Sequence, residues 1–478
     1  MIRSRRIKIL ATLGPASNTE EMIKKLCLAG ADAFRINMSH SSHEMLSDLV
    51  RRIRNVEKEV GFPIGILADI QGPKHRLGTF ANGEVAVQPG HVITLDSDPT
   101  PGDAYRVQLP HPEILEAMEI GHRLLVNDGK VKLKVIETGD GWAKAEVVNG
   151  TWLADRKGVN LPDSELMSGA LTEKDRADLQ AVLKEEVDWV ALSFIQRPED
   201  LAEARKICKG KVGLLAKIEK PQAVQRLDEI IEMADAIMVA RGDLGVEMPL
   251  EVVPSIQKKM IRKCRRAGRP VIVATQMLES MIDNPVPTRA EVSDVANAVY
   301  EGADAIMLSA ESAAGSYPLE AVQTMNSVAE AMEADKGYLD TIASQRPEAE
   351  PTGADAISFA AAQIAETLDL AAIVCFTASG STGLRAARVR PSKPILALSP
   401  VTETARRLAL CWGTRCVIAP DAKDLDDMVD KACEFAFNEG LVEAGGRIII
   451  SAGVPLQTPG STNMLRIAYV GKDGKNTG

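Results

Sequence analysis

The sequence predicts an α/β fold: a closed (β/α)8 TIM barrel, interrupted by a small inserted β-barrel lid and followed by a C-terminal α/β domain. Three observations lead there. Eight short apolar runs alternate with amphipathic helical patterns, the order that closes a parallel barrel. Between about Leu77 and Leu161 that rhythm gives way to a Gly-rich, period-two pattern. After a polar linker, SQRPEAEPTGAD, strand–helix alternation resumes. A chain of 478 residues is too long for one core, and the expected divisions are 1–71 and 163–343 for the barrel, 72–162 for the lid, 344–355 for the linker and 356–478 for the last domain.

In chain order the barrel strands are IKILATLG, AFRINMS, IGILADIQ, DWVALSFI, VGLLAKIE, AIMVARGD, PVIVATQM and AIMLSAES. Patterns such as TEEMIKKLCLAG, LTEKDRADLQAVLKEE, PEDLAEARKICKG and VVPSIQKKMIRKCRRAG supply the helices between them. The insert follows the third strand. EVAVQPGHVITLDSD, YRVQLP and RLLVNDGKVKLKVIETGDGWAKAEVVNG alternate around Asn-Asp-Gly and Gly-Asp turns, as an antiparallel meander does. An insertion in a βα loop overhangs the barrel mouth, so it is expected to act as a lid. Beyond the linker, AAIVCFTASG, PILALSP and GGRIIISAG read as strands of the last domain.

Composition narrows the function. A formal net charge of -10 argues against nucleic-acid or anionic-membrane partners, and 4% aromatics leave little for base stacking. No stretch approaches the roughly 20 apolar residues of a membrane span, and the basic N-terminus leads into an apolar run too short for a signal peptide. The seven cysteines form no CxxC pair and have no His nearby, so no zinc site is expected and reduced thiols in a cytoplasmic enzyme are. All six histidines fall at or before His122, which excludes histidine-centred catalysis in the last three-quarters of the chain.

The chemistry gathers at the strand ends, where a barrel active site belongs. These supply Thr12; Arg35, Asn37, Ser39 and His40; Asp69, then Lys74 and Arg76; Ser193 and Phe194; Lys217 and Glu219; Arg241 and Asp243; Thr275 and Gln276; Ser309 and Glu311. Alternation places Lys217 and Glu219 on one strand face. Glu219 and Asp243 suit one hard divalent cation such as Mg²⁺. Three Arg and two Lys in one mouth favour a phosphorylated or carboxylated substrate. Asn37, Ser39 and Asp69 form an oxygen-only cluster able to hold a monovalent cation.

The blocks KILATLGPAS, FRINMSH, GLLAKIEKPQAV, IMVARGDLGVE, VIVATQMLESM, PTRAEVSDVANAV and SAESAAGSYPLEAV resemble those of the pyruvate kinase family, in its order. RKGVNLP, the insert and the last domain resemble it as well, so the likeness runs end to end and is of the bacterial type. The resemblance implies phosphoryl transfer from phosphoenolpyruvate to ADP, giving pyruvate and ATP. It implies Mg²⁺ (or Mn²⁺) on Glu219 and Asp243, and Lys217 and Arg35 on the phosphoryl group. It places Ala240, Arg241 and Gly242, with Thr275, on the substrate carboxylate. Asn37, His40, Arg76, Lys157 and Asp128 would line the nucleotide side. A homotetramer is a further family expectation. Enolate protonation would pass through Thr275 and a relay including Ser309 and Glu311.

The block after the third strand departs from the family. Where Asp-Thr-x-Gly-Pro-Glu is usual, this chain reads Asp69, Ile70, Gln71, Gly72, Pro73, Lys74. Glu in the last slot goes with a K⁺ requirement and Lys with independence from it, so activity without K⁺ is expected. The alternative is that Asn37, Ser39, Asp69 and Ile70 still hold K⁺. In the last domain, FTASGSTGLRAARVRPSKP sets Thr377, Ser379, Gly380, Ser381 and Thr382 at a strand-to-helix turn, a phosphate cradle of hydroxyls and helix N–H groups. In the family this loop holds an allosteric sugar phosphate. The later loop GVPLQTPGST lacks the Trp and Arg of a second-phosphate clamp, which favours a sugar monophosphate or a nucleotide monophosphate. A metal-dependent lyase or aldolase and a non-catalytic sugar-phosphate sensor are the competing readings.

Overall fold

The computed structural model describes residues 3–166, 169–455 and 462–477. Eight parallel strands close a barrel in sequential order: Lys8–Thr12, Ala33–Asn37, Gly65–Ile70, Trp189–Leu192, Gly213–Ile218, Ala236–Ala240, Val271–Ala274 and Ala305–Leu308. Their apolar runs are nearly continuous because both faces are covered. One parity, with Leu10, Leu67, Ala191, Leu215, Met238 and Met307, fills the barrel interior. The other, with Ile9, Phe34, Ile66, Val190, Leu214 and Val273, packs under the helices. Continued towards the C-terminal end, the inward parity reaches Thr12, Arg35, Asp69, Ser193, Lys217 and Ser309. The core column therefore turns polar where the strands end. Helix starts are fixed locally: Thr172 with Asp175 and Thr288 with Glu291 each form a reciprocal capping box.

The insert is a curled six-stranded sheet with a two-stranded ribbon and one short helix, Pro112–Ala117. Its own core centres on Ile93, Leu95, Leu124, Leu133, Ala145 and Val147. The turn after Arg123–Val126 places Asp128 at φ 55° and Gly129 at φ 79°, a type I′ pair matched to sheet twist. One expectation needs correcting: Val92–Asp96 and Arg106–Gln108 run parallel, so the insert is not wholly antiparallel.

The C-terminal domain is a five-stranded sheet in the order Thr414–Ile418, Ile395–Ser399, Ala372–Phe376, Arg447–Gly453, Thr462–Tyr469, the last antiparallel. The two edge strands were not anticipated. TRCVI is short and laced with polar residues, and TNMLRIAY carries a weak alternation. This domain seals the barrel floor. Leu410 joins the interior cluster, and Arg390 grips both Asp304 carboxylate oxygens at 2.9 Å. Arg406 reaches Glu57 at 2.6 Å and Glu186 at 2.8 Å on the barrel's flank.

Candidate active site

At the mouth, strand ends assemble a buried charge network. Arg35 donates through Nε to Asp69 Oδ2 at 2.7 Å, and its Nη1 lies 3.2 Å from Thr12 Oγ1. Lys217 Nζ sits 2.9 Å from Glu219 Oε1 and 3.4 Å from Asp69 Oδ1, and donates to Ser193 Oγ at 2.8 Å. Burial opposes the ammonium of Lys217, but Asp69 and Glu219 outweigh it and hold its pKa above the usual lysine value. Burial pushes the Glu219 carboxyl up to about 7, against the pull of Lys217 and with the added repulsion of Asp243. Asp69 goes the other way: Lys217 and Arg35 overcome its burial and hold it below the usual carboxylate range.

The side chains of Asp243 and Lys74 make no hydrogen bond or ion pair among the described residues. Both line the cleft between barrel and insert, together with Asp128, Phe194 and Lys220. A free carboxylate near a buried one, whose Oε1 faces an ammonium without a well-formed hydrogen bond, is a donor set that fits a hard divalent cation.

Backbone strain concentrates at the same rim. Phe194 (φ 56°), Thr275 (φ 68°) and Gln276 (φ 53°) all occupy the left-handed region, which is rare for side chains of this bulk. Phe194 thereby aims its N–H at Glu219 Oε2, 2.7 Å away. Thr275 Oγ1 accepts the N–H of Gly242 at 2.7 Å and donates to Ala274 O at 2.6 Å. Gly242 lies in the helix Arg241–Glu247, which starts where the sixth strand, ending at Ala240, stops.

Other residues at the strand ends carry partners of their own. The Arg241 guanidinium is turned out of the mouth: it binds Asp294 at 2.7 Å and the Thr275 carbonyl at 2.7 Å. Both Glu311 oxygens receive backbone N–H groups, from Ser309 at 2.7 Å and Leu278 at 3.2 Å. Glu311 thus shapes two strand ends, each oxygen keeping a second lone pair, and Ser309 Oγ is buried without a partner among the described residues. In the monovalent-cation cluster, Asp69 is committed to Arg35 and Lys217, and the Ile70 carbonyl receives Ser193 Oγ at 2.8 Å. Asn37 Oδ1 accepts the Ser39 N–H at 3.1 Å, and the exposed His40 donates its N–H to Asn37 O at 3.1 Å. At the hinge, Arg76 Nη1 donates to Arg156 O at 2.9 Å and Lys157 O accepts the Leu77 N–H at 3.0 Å.

Ser193 and Thr12, which orient Lys217 and Arg35, were visible only as strand-end polar residues. The tie of Lys220 and Asn160 to Glu247, at 3.6 and 2.8 Å, anchors the returning lid strand and had no sequence signal.

In the C-terminal domain Thr377 Oγ1 accepts the Gly380 N–H at 2.9 Å, and Gly380 (φ 89°) opens the helix Ser381–Val389 without a side-chain cap. Ser379 and Ser381 hydroxyls lie 3.1 Å apart, while Thr382 is bonded to Thr462 at 2.9 Å. Residues 456–461 of the facing GVPLQTPGST loop lie outside the described residues.

A closed parallel barrel with paired carboxylates and buried cations at its C-terminal mouth defines an enzyme of phosphate or carboxylate chemistry. Comparison with known proteins narrows the class. The pyruvate kinase barrel-domain model matches residues 4–322, and the pyruvate kinase alpha/beta-domain model matches 355–468. The chain is 58% identical over 473 residues to a pyruvate kinase of Methylorubrum extorquens, covering 99% of both chains. It is 46% identical to one of Agrobacterium vitis, covering 98% of this chain and 100% of that one. A crystal structure of a pyruvate kinase from Cryptosporidium parvum superposes with a TM-score of 0.91 at 31% identity, over 98% of this chain and 96% of the other. The chain belongs to the pyruvate kinase family, a family of kinases. No helix among the described residues is long and apolar enough to cross a membrane.

Proposed function

We propose that the chain transfers the phosphoryl group of phosphoenolpyruvate to ADP, releasing pyruvate and ATP, as a cytoplasmic enzyme assembled as a homotetramer. One observation carries the reading: two largely enclosed cations, Arg35 and Lys217, converge on Asp69 beside the carboxylates Glu219 and Asp243. Phosphoryl transfer needs positioning and charge neutralisation more than covalent chemistry. Arg35 and Lys217 bind the phosphoryl oxygens. Lys217, held charged by its carboxylate neighbours, stabilises negative charge as the enolate forms. First-turn N–H groups following Ala240, at Arg241 and Gly242, with the Thr275 hydroxyl, orient the substrate carboxylate. Thr275, with Ser309 and Glu311, bounds the path by which a proton reaches the enolate carbon. Asn37, His40, Arg76, Lys157 and Asp128 face the nucleotide. Glu219 and Asp243 would hold Mg²⁺ or Mn²⁺, which would supply positive charge against the negative charge that develops.

Two finer readings go with this. Lys74, without an ion pair and lining the cleft, takes the place of K⁺, and the commitment of Asp69 to Arg35 and Lys217 supports that. The uncapped helix at Ser381, with the Thr377, Ser379 and Ser381 hydroxyls, binds the phosphate of an activating sugar phosphate or nucleotide monophosphate. The test is pyruvate formation from phosphoenolpyruvate and ADP with Mg²⁺, in tetramethylammonium and then in K⁺ buffer, with and without glucose 6-phosphate or AMP. Turnover in both salts supports the whole reading. Turnover only with K⁺ keeps the kinase and removes the role of Lys74. No turnover under any condition favours a lyase or a sensor.

A further inference from the structure

Where the insert meets the barrel, among the described residues, one group of side chains has the composition of a transition-metal site. His75, His111 and Glu113 bring one donor atom each to within 4.8 Å of one another. Glu113 Oε1 lies 3.7 Å from His75 Nε2 and 3.5 Å from His111 Nδ1. Those separations are long for hydrogen bonds. They are close to the roughly 3.3 Å between ligands of a tetrahedral ion with bonds of about 2.0–2.1 Å. The two imidazoles meet edge to face with centroids 4.8 Å apart, and the three donors must draw in from their 4.8 Å spread to share one ion. The His75 side chain is only 10% exposed, and neither of its nitrogens is hydrogen-bonded among the described residues.

We propose that His75, His111 and Glu113 bind one borderline divalent cation, Zn²⁺ foremost, with water in the fourth position. Two imidazoles and one carboxylate suit Zn²⁺ and not Mg²⁺, which prefers oxygen ligands and keeps its waters. The site shares no ligand with Glu219 and Asp243, although His75 lines the same cleft as Asp243. The cysteine spacing that removed a zinc site from the sequence expectations has no bearing on it, because no cysteine takes part.

Binding changes one hydrogen bond. His111 Nε2 accepts the Arg76 N–H at 3.1 Å, so Nδ1 carries the ring proton in the metal-free form. Coordination through Nδ1 moves that proton to Nε2, with no net proton released, and frees the Arg76 N–H to turn to water. Lys220, which acts on His75 electrostatically, opposes the ion's charge. His75 stands where the chain leaves the barrel, and Glu113 stands in the first turn of the insert's helix Pro112–Ala117. A bound ion therefore staples hinge to lid.

The experiment uses the full chain in Mg²⁺-containing buffer, titrated with Zn²⁺ against a chromophoric chelator, with Co²⁺ as spectroscopic probe. The expected result is one Zn²⁺ per chain that millimolar Mg²⁺ does not displace, and the intense visible bands of four-coordinate Co²⁺. His111→Gln and His75→Asn, checked for unchanged circular dichroism, should each lose more than about 100-fold in affinity, beyond the 10–100-fold cost of losing an outer partner. Hydrogen exchange between residues 77 and 160 should slow on Zn²⁺ binding in the native chain only. Zn²⁺ that Mg²⁺ displaces, or that both variants retain, belongs elsewhere and overturns the proposal, as does the absence of any bound equivalent.

Discussion

Replacing Lys217 by Met removes one charge and keeps most of the aliphatic stem, so its effect can be worked from the contacts. At an effective dielectric of about 20, unit charges at 2.9 and 3.4 Å attract by about 5–6 kcal/mol each before desolvation. Desolvation takes back much of this, and orphaning one partner of a buried pair typically costs about 3–5 kcal/mol. The low end applies here. Asp69 keeps Arg35 at 2.7 Å, and Glu219, already pushed up to about 7 by burial, can take a proton. A loss of about 3 kcal/mol lowers the barrel's melting midpoint by about 6–12 °C, at 2–4 °C per kcal/mol for a domain of this size. Lys217→Met combined with Glu219→Gln should regain most of that midpoint, because no unpaired carboxylate remains. Turnover should not return: losing a preorganised charge stabiliser costs about 10²–10³-fold. Scanning calorimetry and pyruvate formation read the two effects separately. Turnover of Lys217→Met within tenfold of native, or its recovery in the double variant, would refute the role given to the ammonium.

Thr275→Ala keeps the left-handed φ of 68° but loses the hydroxyl, whereas Thr275→Gly relieves the backbone. The Gly variant should melt as if about 1 kcal/mol more stable than the Ala variant, with both equally impaired in turnover; equal midpoints would mean that position 275 carries no strain. Lys74→Glu should make activity depend on added K⁺, falling at least tenfold in tetramethylammonium and recovering in K⁺; indifference to the salt would separate Lys74 from the monovalent-cation effect. All seven cysteines are free and buried, and burial raises the pKa of each, to about 11 for Cys208, Cys375 and Cys433 and about 12 for Cys27, Cys411 and Cys416. An aromatic disulfide reagent at pH 8 should find no rapidly reacting thiol in the native chain and seven after denaturation, and a fast-reacting thiol would place a cysteine at the surface.

The barrel was legible because burial on both faces leaves continuous apolar strands, and because inward parity carries on past Leu67 and Leu215 to Asp69 and Lys217. Strand ends could therefore be read as a site before any geometry was known. What stayed hidden depends on backbone angles or on distant partners. Nothing in VIVATQM announces that Thr275 and Gln276 adopt positive φ, or that Arg241 turns to Asp294, 53 positions away. Nor does the sequence announce that Glu311 fastens two strand ends through backbone N–H groups. His75 and His111 stand 36 positions apart with no ligand spacing to connect them. The edge strands of the last domain lack a clear period because one side of each is solvated.

The insert leaves and re-enters the barrel through neighbouring segments: Arg76 bridges Gly158, and the Leu77 N–H meets Lys157 O at 3.0 Å. To the barrel, the lid is topologically a single wide loop whose two ends already touch. It has a separate apolar core, and Arg35, Asp69, Lys217, Glu219 and Asp243 all lie outside it. Such an arrangement is modular: a short turn joining the two stems would delete the lid without asking any barrel strand to move. The truncated chain would keep its charge network and lose Asp128 with the roof, which makes the phosphoryl-binding half of the mouth and the lid's share of the nucleotide side separable properties of this architecture, open to independent change.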